Sequence, residues 1–168
     1  TSGADNIAIG YQAMDALTTG EKNIAIGRNA IGNGSNAGVD YNIAIGMGAG
    51  ASFGDNAVSN TILIGYDAGG QINNSGGSYT VAIGRSALGA LTTGAGNTAV
   101  GYQSLDATDD GGLNTAVGYQ SLSANCGNAN TAVGYKAGAN VTGTTNTISG
   151  HQAGSGTTAL TRGTNNVI

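Results

Sequence analysis

Few side chains in this 168-residue sequence could carry out chemistry, and they do not cluster into a reactive site. His151 is the only histidine, and no acidic residue stands near it in the sequence to orient it as a general base. Cys126 is the only cysteine, so no disulfide can form within the chain. Asp106, Asp109 and Asp110 form one acidic cluster, but the glycine-rich aspartate repeats of calcium-loaded β-rolls are missing. We therefore predict no catalytic residue, no metal site and no cofactor.

Tyrosine is the one binding-competent residue that recurs at a fixed place in the sequence. The tyrosines that directly follow a recurring glycine are Tyr11, Tyr66, Tyr102, Tyr119 and Tyr135. An exposed stripe of tyrosines could stack on sugar rings of a receptor, and the alternative is packing at a seam between chains. The same position holds Arg28, Met47, Arg85 and His151 in the other units, which favours a solvent-facing or rim position.

A second group of candidates lies in three long connectors, at residues 32–41, 52–60 and 70–79. If consecutive units stack, these connectors gather at one protruding edge, and loops on a rigid scaffold are common binding sites. The candidate receptor contacts there are Asp40, Tyr41, Phe53, Asp55 and Tyr79. The alternative is plain variation in loop length.

The element that must position these residues is a five-residue sequence motif, here called the phrase, that occurs nine times. It reads Asn-Ile-Ala-Ile-Gly at residues 6–10 and Asn-Thr-Ala-Val-Gly at residues 97–101. The glycines that end it are Gly10, Gly27, Gly46, Gly65, Gly84, Gly101, Gly118, Gly134 and Gly150. Successive glycines are 16 to 19 residues apart, so the connectors absorb the variation in length. We interpret residues 1–168 as a single repeat domain, a fragment of a longer fibre.

The phrase predicts a short β-strand in each unit. Isoleucine, valine and threonine favour strands, and Ile7 and Ile9 alternate with Ala8 and Gly10. Units of this length predict an all-β fold, a parallel β-solenoid of about nine coils of 16 to 19 residues, stacked at roughly 4.8 Å. We expect the isoleucines to face inward and the alanine and glycine face to pack against copies of the chain.

Stacking of the coils places each residue next to its equivalent in the following coil. This predicts two structural ladders, which are columns of equivalent side chains that run along the solenoid. The amide ladder comprises Asn6, Asn23, Asn42, Asn97, Asn114, Asn130 and Asn146, and Thr61 and Thr80 interrupt it. The apolar ladder comprises Ile9, Ile26, Ile45, Ile64 and Ile83 and continues as Val100, Val117 and Val133. Two apolar side chains per coil contribute about 3 to 6 kcal/mol. Ordering about 17 residues costs more than that, so we expect a symmetric homo-oligomer.

Composition excludes several other classes of protein. The net charge is −4, and the five lysines and arginines are scattered one by one, so nucleic acid is not an expected partner. No stretch of about 18 apolar residues is present for insertion into a membrane. Although 32 residues are glycine, there is no proline and no Gly-X-Y triplet, which excludes collagen.

The phrase resembles the head-domain repeat of YadA-like trimeric autotransporter adhesins, which is a left-handed parallel β-roll. It is also similar to repeats of bacteriophage tail-fibre proteins, which residues 97–105 and 114–122 match as Asn-Thr-Ala-Val-Gly-Tyr-Gln-Ser-Leu. The resemblance covers nearly the whole chain and implies a homotrimer of three rolls side by side around a threefold axis. The coils here are longer and less uniform than those of adhesin heads.

These observations together favour a structural and adhesive fibre segment, located outside the cell on a bacterial surface or a virion. It would be a rigid spacer whose loops or tyrosines contact a cell-surface glycan or protein receptor. One alternative is a left-handed β-helix acyltransferase, but its hexapeptide pattern should occur about three times in each coil and occurs once. The other is an ice-binding solenoid with Thr98, Thr115, Thr131 and Thr147 as a flat column, which an inward-facing column would exclude.

Overall fold

A computed structural model describes residues 3–33, 38–54, 57–156 and 163–168. The repeated phrase forms one three-residue strand in each unit. The strands are β1 (Ile7–Ile9), β2 (Ile24–Ile26), β3 (Ile43–Ile45), β4 (Ile62–Ile64), β5 (Val81–Ile83), β6 (Thr98–Val100), β7 (Thr115–Val117), β8 (Thr131–Val133) and β9 (Thr147–Ser149). A single 3₁₀ turn, Ser75–Gly77, begins at Asn74, whose side chain accepts a bond from the Gly76 N–H. Within the described ranges no helix is long and apolar enough to cross a membrane.

The nine strands form one parallel sheet in sequence order, so the chain is a β-solenoid of about eight turns. Each strand pairs with the next in strict register, as when Ile7 lies beside Ile24 and Ile24 beside Ile43. The ladder continues beyond β9, where the Ser149 N–H donates to Ile168 O at 2.8 Å. The prediction of an all-β parallel solenoid is confirmed.

The expectation that the strand isoleucines face the interior is wrong. The central residue of each strand from β2 to β9 is buried in the interior, and Ala25, Ala44 and Ala99 are fully buried. The flanking residues face outward, and Ile7 and Ile9 are 49% and 58% exposed. Alternation along a strand fixes that neighbours face opposite sides, but it does not fix which side is inside.

Which side of the strand is buried depends on the segment that faces it across the interior of the coil, which we call the opposite wall. After the recurring glycine the chain turns and places a large apolar side chain against the alanine column, as with Ile31, Leu88, Leu105 and Leu122, which are all fully buried. Each of these residues has a left-handed backbone, with φ between 47° and 53°. At these levels alanine on the strand faces leucine or isoleucine on the other wall, and large side chains of the connectors, such as Val39 and Leu91, complete the interior.

Volume compensation at two places supports this description of the core. Leu63 and Ile148 replace the usual inward alanine, and glycine then stands on the opposite wall. A Cβ added to Gly69 would lie 2.8 Å from a methyl group of Leu63, and one added to Gly138 would lie 2.9 Å from a methyl group of Ile148. The large side chains of Leu63 and Ile148 thus occupy space that a side chain on the facing glycine would need.

The recurring glycine closes the strand at a corner that no other residue fits. At Gly10 φ is 134°, and the same value recurs within a few degrees along the column. A Cβ added to Gly10 would lie 2.6 Å from the carbonyl oxygen of Gly27 in the next coil. The unusual φ and the close backbone of the next coil therefore both require glycine at this corner.

The asparagines form a buried hydrogen-bonded ladder at the other end of the strands. The backbone N–H and Nδ2 of Asn42 both donate to Oδ1 of Asn23, at 3.0 and 3.1 Å. Nδ2 of Asn42 also donates to Val58 O at 2.8 Å, which ties the next turn to the strand. Thr61 continues the ladder, since its hydroxyl donates to Oδ1 of Asn42 at 2.8 Å. The side chain of Thr80 donates instead to Ser78 O at 3.5 Å, which leaves a gap before Asn97.

Candidate functional site

The outward side of the sheet is a continuous surface along the solenoid, which we call the strand face. It consists of the first and third residue of each strand, β1 to β9. Thirteen of these eighteen side chains are isoleucine or valine, and the others are threonine or serine. The apolar ladder from Ile9 to Val133 lies on this face, and Val133 is 44% exposed. A flat apolar surface of this length is unusual on a monomer.

The threonines considered for ice binding lie on the same face. Thr98, Thr115 and Thr131 are half-buried and Thr147 is exposed. They pair in register along β6 to β9, so their side chains form one column beside the valine column. The condition that would have excluded an ice-binding surface, an inward column, is not met.

The tyrosines that follow the recurring glycine form a stack of rings beside the strand face. Ring centroids are 5.0 Å apart for Tyr102 and Tyr119 and 5.3 Å apart for Tyr119 and Tyr135. His151 extends the stack on Tyr135 at 5.0 Å, with the ring planes 12° apart. Because both faces of Tyr119 and Tyr135 are covered by neighbouring rings, a sugar ring has only their edges to contact.

Arginines complete the same column in the first half of the chain. The guanidinium of Arg85 lies between two rings, 5.4 Å from the centroid of Tyr66 and 5.8 Å from that of Tyr102. Arg28 lies 5.7 Å from the ring centroid of Tyr11. These cation–π contacts occupy further ring faces and join successive coils.

The connector candidates separate into different environments. Phe53 is fully buried, which corrects its assignment as a receptor contact: its ring fills the interior beside Gly50. Oδ1 of Asp40 accepts a bond from the Glu21 N–H at 2.8 Å and so joins two coils. Asp55 lies outside the described residues. Tyr41 and Tyr79 are exposed.

Tyr41 and Tyr79 belong to a column that the sequence analysis did not recognise. It consists of the residue just before each member of the asparagine ladder, and we call it the corner column. Its members from the second coil onward are Lys22, Tyr41, Asn60, Tyr79, Gly96, Leu113, Ala129 and Thr145. Each backbone N–H donates to the preceding coil, as from Tyr41 to Glu21 O at 3.0 Å and from Tyr79 to Ser59 O at 3.1 Å. Every non-glycine member has a left-handed backbone with φ between 57° and 60°.

Between Tyr41 and Leu113, large side chains with apolar surface occur at every second level of the corner column. Tyr41, Tyr79 and Leu113 are 54%, 68% and 70% exposed, and Asn60 and Gly96 lie between them. Leu113 was missed by sequence reasoning because the units were aligned on the glycine. Alignment on the asparagine would have placed it in line with the two tyrosines.

The remaining reactive side chains are not combined into a site. Cys126 is buried, and burial raises the pKa of its thiol above the ordinary value, although a contact with the Thr108 hydroxyl at 3.4 Å opposes the shift. Burial also raises the pKa of Asp106, and its Oδ1 has no hydrogen-bond partner. In the part of the chain that the structure covers, no group of three histidine, cysteine or acidic residues could hold a metal ion.

Comparison with known proteins finds no family model that matches this chain and no similar curated protein or solved structure. Function is therefore inferred from the geometry of the strand face, the tyrosine stack and the corner column.

Proposed function

We propose that this chain is a rigid spacer and attachment segment of an extracellular fibre, on a bacterial surface or a virion, and that three copies associate through their strand faces. The observation that carries the proposal is the apolar strand face, in which thirteen of eighteen outward side chains are isoleucine or valine. Removing this surface from water stabilises an assembly, and a second and third copy offer the same surface at the same height.

The distribution of residues along the strand face favours a parallel arrangement of the copies. The first five strands present isoleucine or valine at both outward positions, whereas β6 to β8 present threonine and valine. Parallel copies place threonine opposite threonine, where hydroxyl groups can bond to one another. Antiparallel copies would bury these hydroxyls against isoleucine, which costs free energy because they lack partners there. The number three comes from the resemblance to adhesin heads.

The mass of the assembly in native solution tests this proposal. We expect about 49 kDa, three times the 16.2 kDa of one chain. The double variant Ile45→Asp/Ile64→Asp puts carboxylates at the centre of the strand face and should give a monomer. Ile43→Thr is the matched control, because threonine stands in the same column at Thr98, and it should remain a trimer. A wild-type monomer at micromolar concentration would disprove the assembly, as would a double variant that stays trimeric.

Ice binding is the second candidate, and the outward threonine column is the observation that favours it. The threonines from Thr98 to Thr147 repeat at the coil spacing of roughly 4.8 Å and lie on a flat face. One face cannot be buried in a trimer and also bind ice. A monomeric chain that slows ice recrystallisation would favour this candidate, and a trimer without that effect would favour the fibre.

The acyltransferase alternative has less support. Among the described residues each coil has one strand rather than three. His151, the only histidine, is stacked on the ring of Tyr135. An assay with acyl donors on the assembled protein tests this alternative directly, and we expect no turnover.

A further inference from the structure

We propose that the corner column binds an extended neutral polysaccharide whose chain runs along the rod, with Tyr41, Tyr79 and Leu113 as apolar platforms for successive pairs of sugar rings. This inference rests on the attachment role proposed above and names the ligand class and the surface. It starts from the difference between the two sets of tyrosines. Neighbouring rings cover the faces of Tyr119 and Tyr135, whereas 68% of Tyr79 is exposed, and no ring or cation of the described residues lies over it.

The backbone of the corner column does not require large side chains. A left-handed backbone suits glycine and asparagine, which occupy the column at Gly96 and Asn60. Tyr41 and Tyr79 adopt the same backbone with φ of 59°, although their side chains remain largely in water. Conformational preference therefore does not account for tyrosine at these two positions. The Lys22 ammonium lies over the Tyr41 ring, 4.9 Å from its centroid, so Tyr79 is the more open of the two platforms.

The spacing of the platforms indicates a repeating ligand. Tyr41, Tyr79 and Leu113 are separated by two coils each, which is about 9.6 Å. This distance is close to the length of two linked sugar rings in an extended chain. The side chain of Leu113 leans over Gly96, since a Cβ added to that glycine would lie 3.0 Å from a leucine methyl. A regular polymer can therefore place the apolar face of every second ring on the column.

The charges around the column favour a neutral sugar over an acidic one. The Lys22 ammonium lies 3.6 Å from the Glu21 carboxylate and donates to the Tyr41 hydroxyl at 3.2 Å. Asp40 adds a further negative charge beside Tyr41. The Asn60 side chain at the level between the tyrosines is exposed and can bond to sugar hydroxyls. Such mixed charges offer no cluster of cations to a polyanion.

Calorimetry with soluble cello- and chito-oligosaccharides of increasing length, together with an array of neutral polysaccharides and extracellular-matrix proteins, tests the inference. We expect affinity to rise with chain length until the ligand spans two platforms. Tyr41→Asn/Tyr79→Asn should weaken binding about tenfold or more, because two stacking contacts are lost. The fold should survive this change, since Asn60 occupies the same column with the same backbone.

Two matched variants separate this surface from the other tyrosines. Leu113→Ala, which copies Ala129, should weaken the longer oligosaccharides only. Tyr119→Arg, which copies Arg85 in the stacked column, should bind as the wild type does. The inference is overturned if no sugar binds, if only the protein spots bind, if the double variant binds normally, or if Tyr119→Arg loses binding equally. The native mass keeps the tests distinct: sugar binding by a monomer contradicts the trimer alone, and a trimer without sugar binding contradicts this inference alone.

Discussion

The side-chain amide of Asn130 donates to Oδ1 of Asn114 at 3.1 Å inside the coil, where both residues are fully buried. Asn130 also donates to Gly143 O at 2.9 Å and accepts two bonds from Asn146. One side chain thus joins three successive coils. A solenoid with so small an apolar interior depends on such bonds for the order of its coils.

Loss of one ladder asparagine should therefore destabilise the whole rod. Asn130→Ala leaves the buried N–H of Asn146 without its acceptor and removes one of the two acceptors of its Nδ2, the other being Gly163 O, at a cost of about 2 kcal/mol or more in the free energy of unfolding. Urea denaturation followed by circular dichroism measures the change. Asn140→Ala is the control, because that exposed residue makes one bond, to Ser155 O, and should cost less than about 1 kcal/mol.

The gap in the ladder should be repairable. Thr80→Asn places a carbonyl where the backbone N–H of Asn97 can donate to it, as the Asn114 N–H donates to Asn97 at 2.8 Å. We expect a gain of about 1 kcal/mol in unfolding free energy. Thr98→Asn, on the outward side of the sheet, tests whether asparagine stabilises in general. An equal gain from that variant would contradict the ladder as the cause.

Because Leu63 and Gly69 face each other across the core, a larger residue at position 69 should restore part of the stability lost when Leu63 is made smaller. Leu63→Ala should lose about 2 to 5 kcal/mol, since it leaves a cavity opposite Gly69. Adding Gly69→Leu should recover part of this loss, because Leu88 holds the same position with a left-handed backbone opposite an alanine. Gly69→Leu alone should destabilise by clashing with Leu63. A double-mutant cycle of thermal unfolding measures the coupling, and additive effects would show that the two walls are independent.

Asp106 should make stability depend on pH in an unusual direction. Burial raises the pKa of its carboxyl in the folded chain above the ordinary value of 3.8. The folded state therefore disfavours the ionised form, and this penalty is present at neutral pH. It decreases as the pH falls through the folded pKa and is gone below the ordinary value.

Asp106→Asn should accordingly be more stable than the wild type at neutral pH, and the difference should shrink on acidification. Urea midpoints at several pH values measure it. Asp110→Asn, at an exposed position of the same segment, is the control. A difference that does not vary with pH would rule out titration of Asp106 as the cause.

The sequence predicted the coil, its period and its register because these depend on repetition alone. It did not predict which side of the strand is buried, since that depends on what the opposite wall supplies. Ile9 is larger than Ala8, yet Met14 and Ile31 fill the interior, and Ile9 is left outside. Phe53 was misplaced for a similar reason: a ring in a connector can turn inward wherever glycine leaves space, as Gly50 does.

The sequence also identified the two groups of tyrosines but not the difference between them. Tyr102 and Tyr119 occur at the same position in adjacent coils, and the short spacing between coils lets their rings cover each other. Tyr41 and Tyr79 are separated by the level of Asn60. The effect of the intervening residue becomes visible only when the units are aligned on the asparagine.

The described coils offer their neighbours the same backbone donors and acceptors along the strands and at the glycine corner, while differences in length are confined to the connectors. Whole coils can therefore be duplicated or deleted by recombination without disturbing those above and below. The reach of such a rod is set by copy number, so evolution can adjust it in increments of roughly 4.8 Å.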